Sequence, residues 1–103
     1  MQFKTGDTFD ISGILPVTVN GVPVTDFTGW ATRCQLRTKT GKLIATLVTT
    51  WLNSSGALRI NFVGSTQAWP VGVAQIDVEV TTPAGDIIST TTNDIKIVQD
   101  ITR

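Results

Sequence analysis

The feature that most constrains this chain is the two-residue alternation of residues 30–38, Trp-Ala-Thr-Arg-Cys-Gln-Leu-Arg-Thr. It sets Trp30, Thr32, Cys34 and Leu36 on one side and Ala31, Arg33, Gln35 and Arg37 on the other, the pattern of a half-buried β-strand. The same period returns at residues 57–63, where Leu58, Ile60 and Phe62 point inward and Arg59 and Asn61 outward. It returns again at residues 73–82, with Ala74, Ile76, Val78 and Val80 set against Gln75, Asp77, Glu79 and Thr81. No stretch keeps helical spacing for more than a turn. The expected fold class is therefore all-β, an immunoglobulin-like Greek-key β-sandwich of about seven strands with no helix longer than a turn.

Turn chemistry sets the order of these strands. Asn20-Gly21, between Val19 and Val22, is the strongest short hairpin signal in the chain, because both residues tolerate positive φ. The segment before it, residues 8–19, keeps only an imperfect alternation, so a bulge is expected near Gly13 and an edge position near Pro16. Thr40-Gly41 is expected to close a second hairpin into residues 42–50, and Asn53-Ser54-Ser55-Gly56 and Pro83-Ala84-Gly85-Asp86 mark two further turns. Residues 64–72 read as a crossing with one helical or 3₁₀ turn, plugged by Trp69. The last segment, residues 87–98, is expected to break near Asn93-Asp94.

A chain of 103 residues is read as one domain, residues 1–103, and at that size it removes roughly two-thirds of its unfolded surface from water without metal or disulfide staples. Eight Lys and Arg balance eight Asp and Glu, which argues against nucleic acid or an anionic membrane recruited by bulk charge. Arg33, Arg37 and Lys39 make only a small basic stripe. There is no apolar run of membrane-spanning length and no signal-peptide pattern in the first residues, so the expected place of synthesis is the cytoplasm.

Catalytic chemistry finds few residues to use. Without histidine, the Ser-His, Cys-His and His-metal arrangements have no members, and no cofactor or metal is expected. Cys34 falls on the apolar side of its strand and reads as a buried free thiol. Asp77 and Glu79 stand two apart on one strand face, but that face is polar, and cross-strand ion pairs with Arg33 and Arg37 are the expected use of all four.

Four motifs in a fixed order resemble a small Ig-like protein family of tailed phages and prophages. They are Gly-Asp-Thr-Phe-Asp-Ile at residues 6–11, Asp-Phe-Thr-Gly-Trp at 26–30 leading into the central strand, the stretch from Thr66 through Trp69-Pro70-Val71-Gly72 to Asp86, and the closing Asp-Ile-Thr-Arg at 100–103. The chain departs from the family in having Trp-Pro-Val-Gly where Leu-Pro-Ala-Gly recurs. The resemblance covers nearly the whole chain and implies a virion structural protein. In that role it would be a non-catalytic protein–protein interaction module of the tail, baseplate or fibre region, made in the host cytoplasm and then built into the virion. Its partners would be other virion proteins or further copies of itself, with no small-molecule ligand. The expected contact surface is the apolar strand at residues 43–50 and its flank, through Leu43, Ala45, Leu47, Trp51 and Leu52, with edge addition at residues 87–92 as a second route. Trp51 is expected either to cap the core or to stand exposed as an anchor. If exposed, it would support the alternative of a host-surface or carbohydrate-binding domain.

Overall fold

A computed structural model describes residues 1–90 and 92–99. The closing motif at residues 100–103 and Thr91 of the threonine cluster lie outside the described residues. The fold is an all-β, immunoglobulin-like Greek-key sandwich. Its strands are β1 (Gln2–Lys4), β2 (Asp10–Ile14), β3 (Thr18–Val19), β4 (Val22–Pro23), β5 (Ala31–Thr38), β6 (Leu43–Trp51), β7 (Ala57–Asn61), β8 (Gly72–Thr81), β9 (Ile87–Ser89) and β10 (Asn93–Val98). They form one curled sheet in the order β1-β10-β8-β5-β6-β7-β2, with β9 also on β8 and β3-β4 as a separate hairpin.

The alternating strands do what their period dictates. Strand β5 lies antiparallel to β8 along its whole length, from Ala31 opposite Thr81 to Thr38 opposite Ala74. This brings Cys34, Leu36, Ala74, Ile76, Val78 and Val80 onto the inner face, all buried. Ile95 and Ile97 of β10 and Phe3 of β1 extend that layer. Facing it, Leu58 of β7 with Phe9 and Leu15 on either side of β2 supply the second layer of one continuous core.

Strand β6 belongs to both layers. Leu43 to Leu47 pair with β5, and Val48 to Trp51 pair with β7. Sharing one strand curls the sheet into a sandwich and explains why neither side of β6 reads as polar: its inner-facing residues change partner sheet half-way along.

Several expectations are corrected in detail. The bulge is not at Gly13, where β2 and β7 pair without interruption from Asp10–Asn61 to Ile14–Ala57. It lies in the β5–β6 ladder, where Leu36 faces Ala45 and Arg37 faces Leu43, leaving Ile44 as the extra residue. The edge position expected near Pro16 is found at β2, which ends one face of the sheet. The crossing holds the single turn expected of it, of the 3₁₀ type, with the Trp69 N–H donating to the carbonyl of Thr66 three residues earlier at 3.1 Å. The break in the last segment falls before Asn93, between β9 and β10. The Asn20-Gly21 hairpin is formed as read, with φ of 51° and 77° at its two central residues.

Among the described residues few ion pairs hold the surface. Arg59 grips Asp10 with both ends of its guanidinium, Nε to Oδ1 at 3.0 Å and Nη2 to Oδ2 at 2.8 Å, tying β7 to β2. The hydrogen bond from Arg59 holds the Asp10 carboxyl below its ordinary value and raises the guanidinium in turn. Its support for the β2 edge is therefore present above the ordinary carboxylate range and lost as pH falls through the lowered value.

Candidate functional site

The sandwich is closed at each end by aromatic side chains, and the two ends differ in what they leave open. At one end Phe27 stacks on Trp51 at 5.0 Å and meets Trp30 edge-on at 5.1 Å. The Trp51 indole Nε1–H donates to the Trp30 carbonyl at 3.0 Å. Trp51 is thus a cap, with its polar end satisfied inside the fold.

At the other end Trp69 sits among three phenylalanines, with ring centroids 5.3 Å from Phe3, 5.6 Å from Phe9 and 5.2 Å from Phe62. It is 7% exposed and plugs the core as its position in the crossing predicts. Thr66 fixes the crossing that carries it. This residue is 2% exposed, its hydroxyl donates to the Asp7 carbonyl at 2.8 Å, and it accepts from the Gly6 N–H at 2.8 Å. The bend between β1 and β2 and the crossing are therefore locked together, and the Trp69 ring is held in place from behind.

In front of that ring lies a groove of about 540 Å³. Leu43 and Ile44 form one wall, Phe62 and Trp69 another, and Ala68 and Pro70 the lip, with Thr38, Lys42 and Ser65 as the polar groups on its border. The bulge makes this possible. An unbroken ladder would turn Leu43 toward the core and Ile44 away; the extra residue lets both contribute to one concave surface. Lys42 follows the tight turn in which Thr38 donates its N–H to the Lys42 carbonyl at 2.9 Å. Among the described residues the ion pairs are Lys39–Asp94 and Asp10–Arg59, and neither uses Lys42.

A second, smaller depression of about 170 Å³ lies on the outer face of β5 and β8, among Arg33, Gln35, Arg37, Gln75, Asp77 and Glu79. Register places Arg33 opposite Glu79, Gln35 opposite Asp77 and Arg37 opposite Gln75. The expected ion pairs among Arg33, Arg37, Asp77 and Glu79 are not formed. Arg37 instead donates to the Gly41 carbonyl at 2.9 Å and the Gln35 Oε1 at 2.8 Å. On an open sheet face the entropy of fixing two long side chains offsets most of the Coulomb gain, so the neutral partners win.

The five residues expected to make one contact surface do not come together. Ala45 and Leu47 are buried at 6% and 4% exposure and pack into the core, and Trp51 is the cap already described. Leu43 and Leu52 are exposed at 45% and 56%, but they flank opposite ends of β6. Of the five, only Leu43 borders the groove. The second expected route, edge addition at residues 87–92, is met at its start by β9, which already pairs with β8 on one side.

Cys34 is fully buried and free. Burial, with a smaller push from the Asp77 charge, raises its thiol from 9.0 to about 12. The folded state keeps the proton while the unfolded chain loses it near 9, so stability should fall as pH rises from about 9 toward 12, by up to about 1.4 kcal/mol per pH unit. Urea unfolding across that range, compared with Cys34→Val, checks this: the wild type should lose stability more steeply, and equal slopes would contradict it.

No family model matches the chain, and no curated protein matches it. Among solved structures, CopC from Methylosinus trichosporium OB3b superposes with a TM-score of 0.51 at 12% identity, over 95% of this chain and 82% of that one. That likeness shows the fold. It also corrects the functional expectation: a solved protein that shares this architecture is CopC, not a tail, baseplate or fibre component. The virion structural reading and its host-surface or carbohydrate-binding alternative are withdrawn. Among the described residues, no three or more His, Cys, Asp or Glu side chains gather where they could hold a metal ion. No described helix is long and apolar enough to cross a membrane.

Sequence reasoning had three members of the groove, the expected contact residue Leu43, the inward Phe62 and the plug Trp69, but not the groove itself. The one signal that could have found it is Leu43-Ile44, two adjacent large apolar residues directly after a tight turn, where a regular strand would present one of them to water.

Proposed function

We propose that the protein is a non-catalytic binding domain whose groove takes a small amphipathic anion. The apolar body of the ligand rests on Leu43, Ile44, Phe62 and Pro70 against the Trp69 ring, and its acidic group turns to Lys42 with the Ser65 hydroxyl nearby. The observation that carries this reading is the meeting of a pre-formed apolar groove of about 540 Å³ with an ammonium that has no ion-pair partner among the described residues. Concave, mostly apolar sites with a few orienting polar groups are the usual form of small-ligand sites. The non-catalytic part of the reading rests on a sequence without histidine and a single cysteine sealed in the core.

A pair of fluorescent probes tests it. The anionic 8-anilinonaphthalene-1-sulfonate and the neutral N-phenyl-1-naphthylamine share an apolar body and differ in charge. The folded protein should bind the sulfonate saturably at one site, more weakly as salt rises. Lys42→Gln should weaken the sulfonate roughly fivefold, equivalent to about 1 kcal/mol, and leave the neutral probe unchanged. Equal loss of both probes, or no effect on either, would remove Lys42 from the site.

A further inference from the structure

We infer that strand β2 is a docking edge for a second copy of this chain, the two β2 strands pairing antiparallel about Ser12. This goes beyond the groove, with which β2 shares no residue.

The backbone of β2 is half used. The Phe62 N–H donates to the Phe9 carbonyl at 3.0 Å and the Leu15 N–H to the Gly56 carbonyl at 2.8 Å, so odd-numbered residues direct their backbone groups to β7. Asp10, Ser12 and Ile14 direct theirs to the opposite side, where no described strand pairs with β2. Edges of this kind are commonly guarded by charge, proline, bulges or shortness. The opposite end of the sheet follows that rule, since β1 is three residues long and carries Lys4. The one charge on β2, Asp10 at its start, is tied to Arg59 of its own sheet, and the strand has no proline and no bulge.

The strand is complementary to itself. Pairing about Ser12 sets Ser12 opposite its counterpart and Asp10 opposite Ile14, and every one of these residues carries free backbone groups on that side. Each such pair exchanges two hydrogen bonds, so the ladder closes without a mismatch. On the inner face Ile11 comes opposite Gly13 of the other copy. A Cβ placed on Gly13 meets nothing within 4 Å, and beside it lies a recess of about 260 Å³ with Ile11, Leu58, Ile60 and Val78 in its lining and Thr90 and Asn93 as polar neighbours. In the proposed pairing the Ile11 side chain of the second copy, packed on its own core, borders that recess across the seam. On the outer face Ile14, 71% exposed in the single chain, leaves water. The two Asp10 carboxylates stand four residues apart along the seam, about 13 Å, beyond the screening length at physiological salt.

Sedimentation of the full chain over a range of concentrations, with amide exchange read in parallel, tests the inference. The wild type should show a monomer–dimer equilibrium, and the amides of Asp10, Ser12 and Ile14 should gain protection with concentration while those of Ile11 and Gly13 do not change. Ser12→Pro removes an outward N–H and leaves the β7 ladder intact; it should weaken association about tenfold or more. Ile14→Lys should do the same, and its exposed position keeps the test valid if Ser12→Pro fails to fold. A chain that stays monomeric at about 1 mM, or a dimer equally strong in the folded variants, overturns the proposal.

Discussion

Trp69→Ala is expected to lower the free energy of unfolding by about 3–5 kcal/mol, the usual range for truncating a buried aromatic. The indole is the shared neighbour of Phe3, Phe9 and Phe62, so its removal leaves a void bordered by three rings from three parts of the chain. Collapse into that void is limited because Thr66 holds the crossing to the β1–β2 bend by two hydrogen bonds of 2.8 Å. A domain of this size has a net stability of only ~5–15 kcal/mol, so the variant should unfold at much lower urea than the wild type. A loss below about 1 kcal/mol would show that the crossing packs on the core without plugging it.

Gly56→Ala is expected to destabilise by about 2–5 kcal/mol, for two reasons that a control can separate. Gly56 has φ of +109°, which a side chain adopts only under strain. A Cβ there would stand 2.9 Å from Cε2 of Phe27. That ring cannot retreat, because it is stacked on Trp51 and set against Trp30. Gly21→Ala has positive φ as well, at +77°, but open space around its Cβ, so it should lose only the strain, about 1–2 kcal/mol. Equal losses in the two variants, measured by urea unfolding, would show that Phe27 yields and that the cap at this end is soft.

The fold was readable because its strands announce themselves twice, by alternation and by the turns between them. The alternating stretches 30–38, 57–63 and 73–82 contain β5, β7 and nearly all of β8, with the inner and outer faces that their period gives. What period could not give was the sharing of β6 between two layers, since Ala45 and Leu47 read equally well as core or as contact surface until the partner strands are known. The bulge was sought at Gly13, where flexibility is visible in the sequence. It formed at Ile44, where the requirement comes from the geometry of the ladder.

The motifs that resemble the phage family have structural duties here. Gly6 and Asp7 receive Thr66, Phe9 is core, and Asp26 accepts from the Thr28 N–H at 3.0 Å to shape the turn into β5. Such residues specify how a chain folds and leave its ligand unsaid. The groove was illegible for a related reason: its walls come from residues 38–44 and 62–70, which no local pattern connects.

The central claim is that the Trp69 end of the sandwich is a ligand site for an amphipathic anion. Amide chemical-shift mapping of the isotope-labelled protein during titration with 8-anilinonaphthalene-1-sulfonate tests it most directly. The account predicts saturable shifts concentrated at Lys42, Leu43, Ile44, Phe62 and Trp69, with the Arg33–Glu79 face of the sheet unchanged. Shifts scattered over the surface without saturation, or centred on that charged face instead, would contradict it.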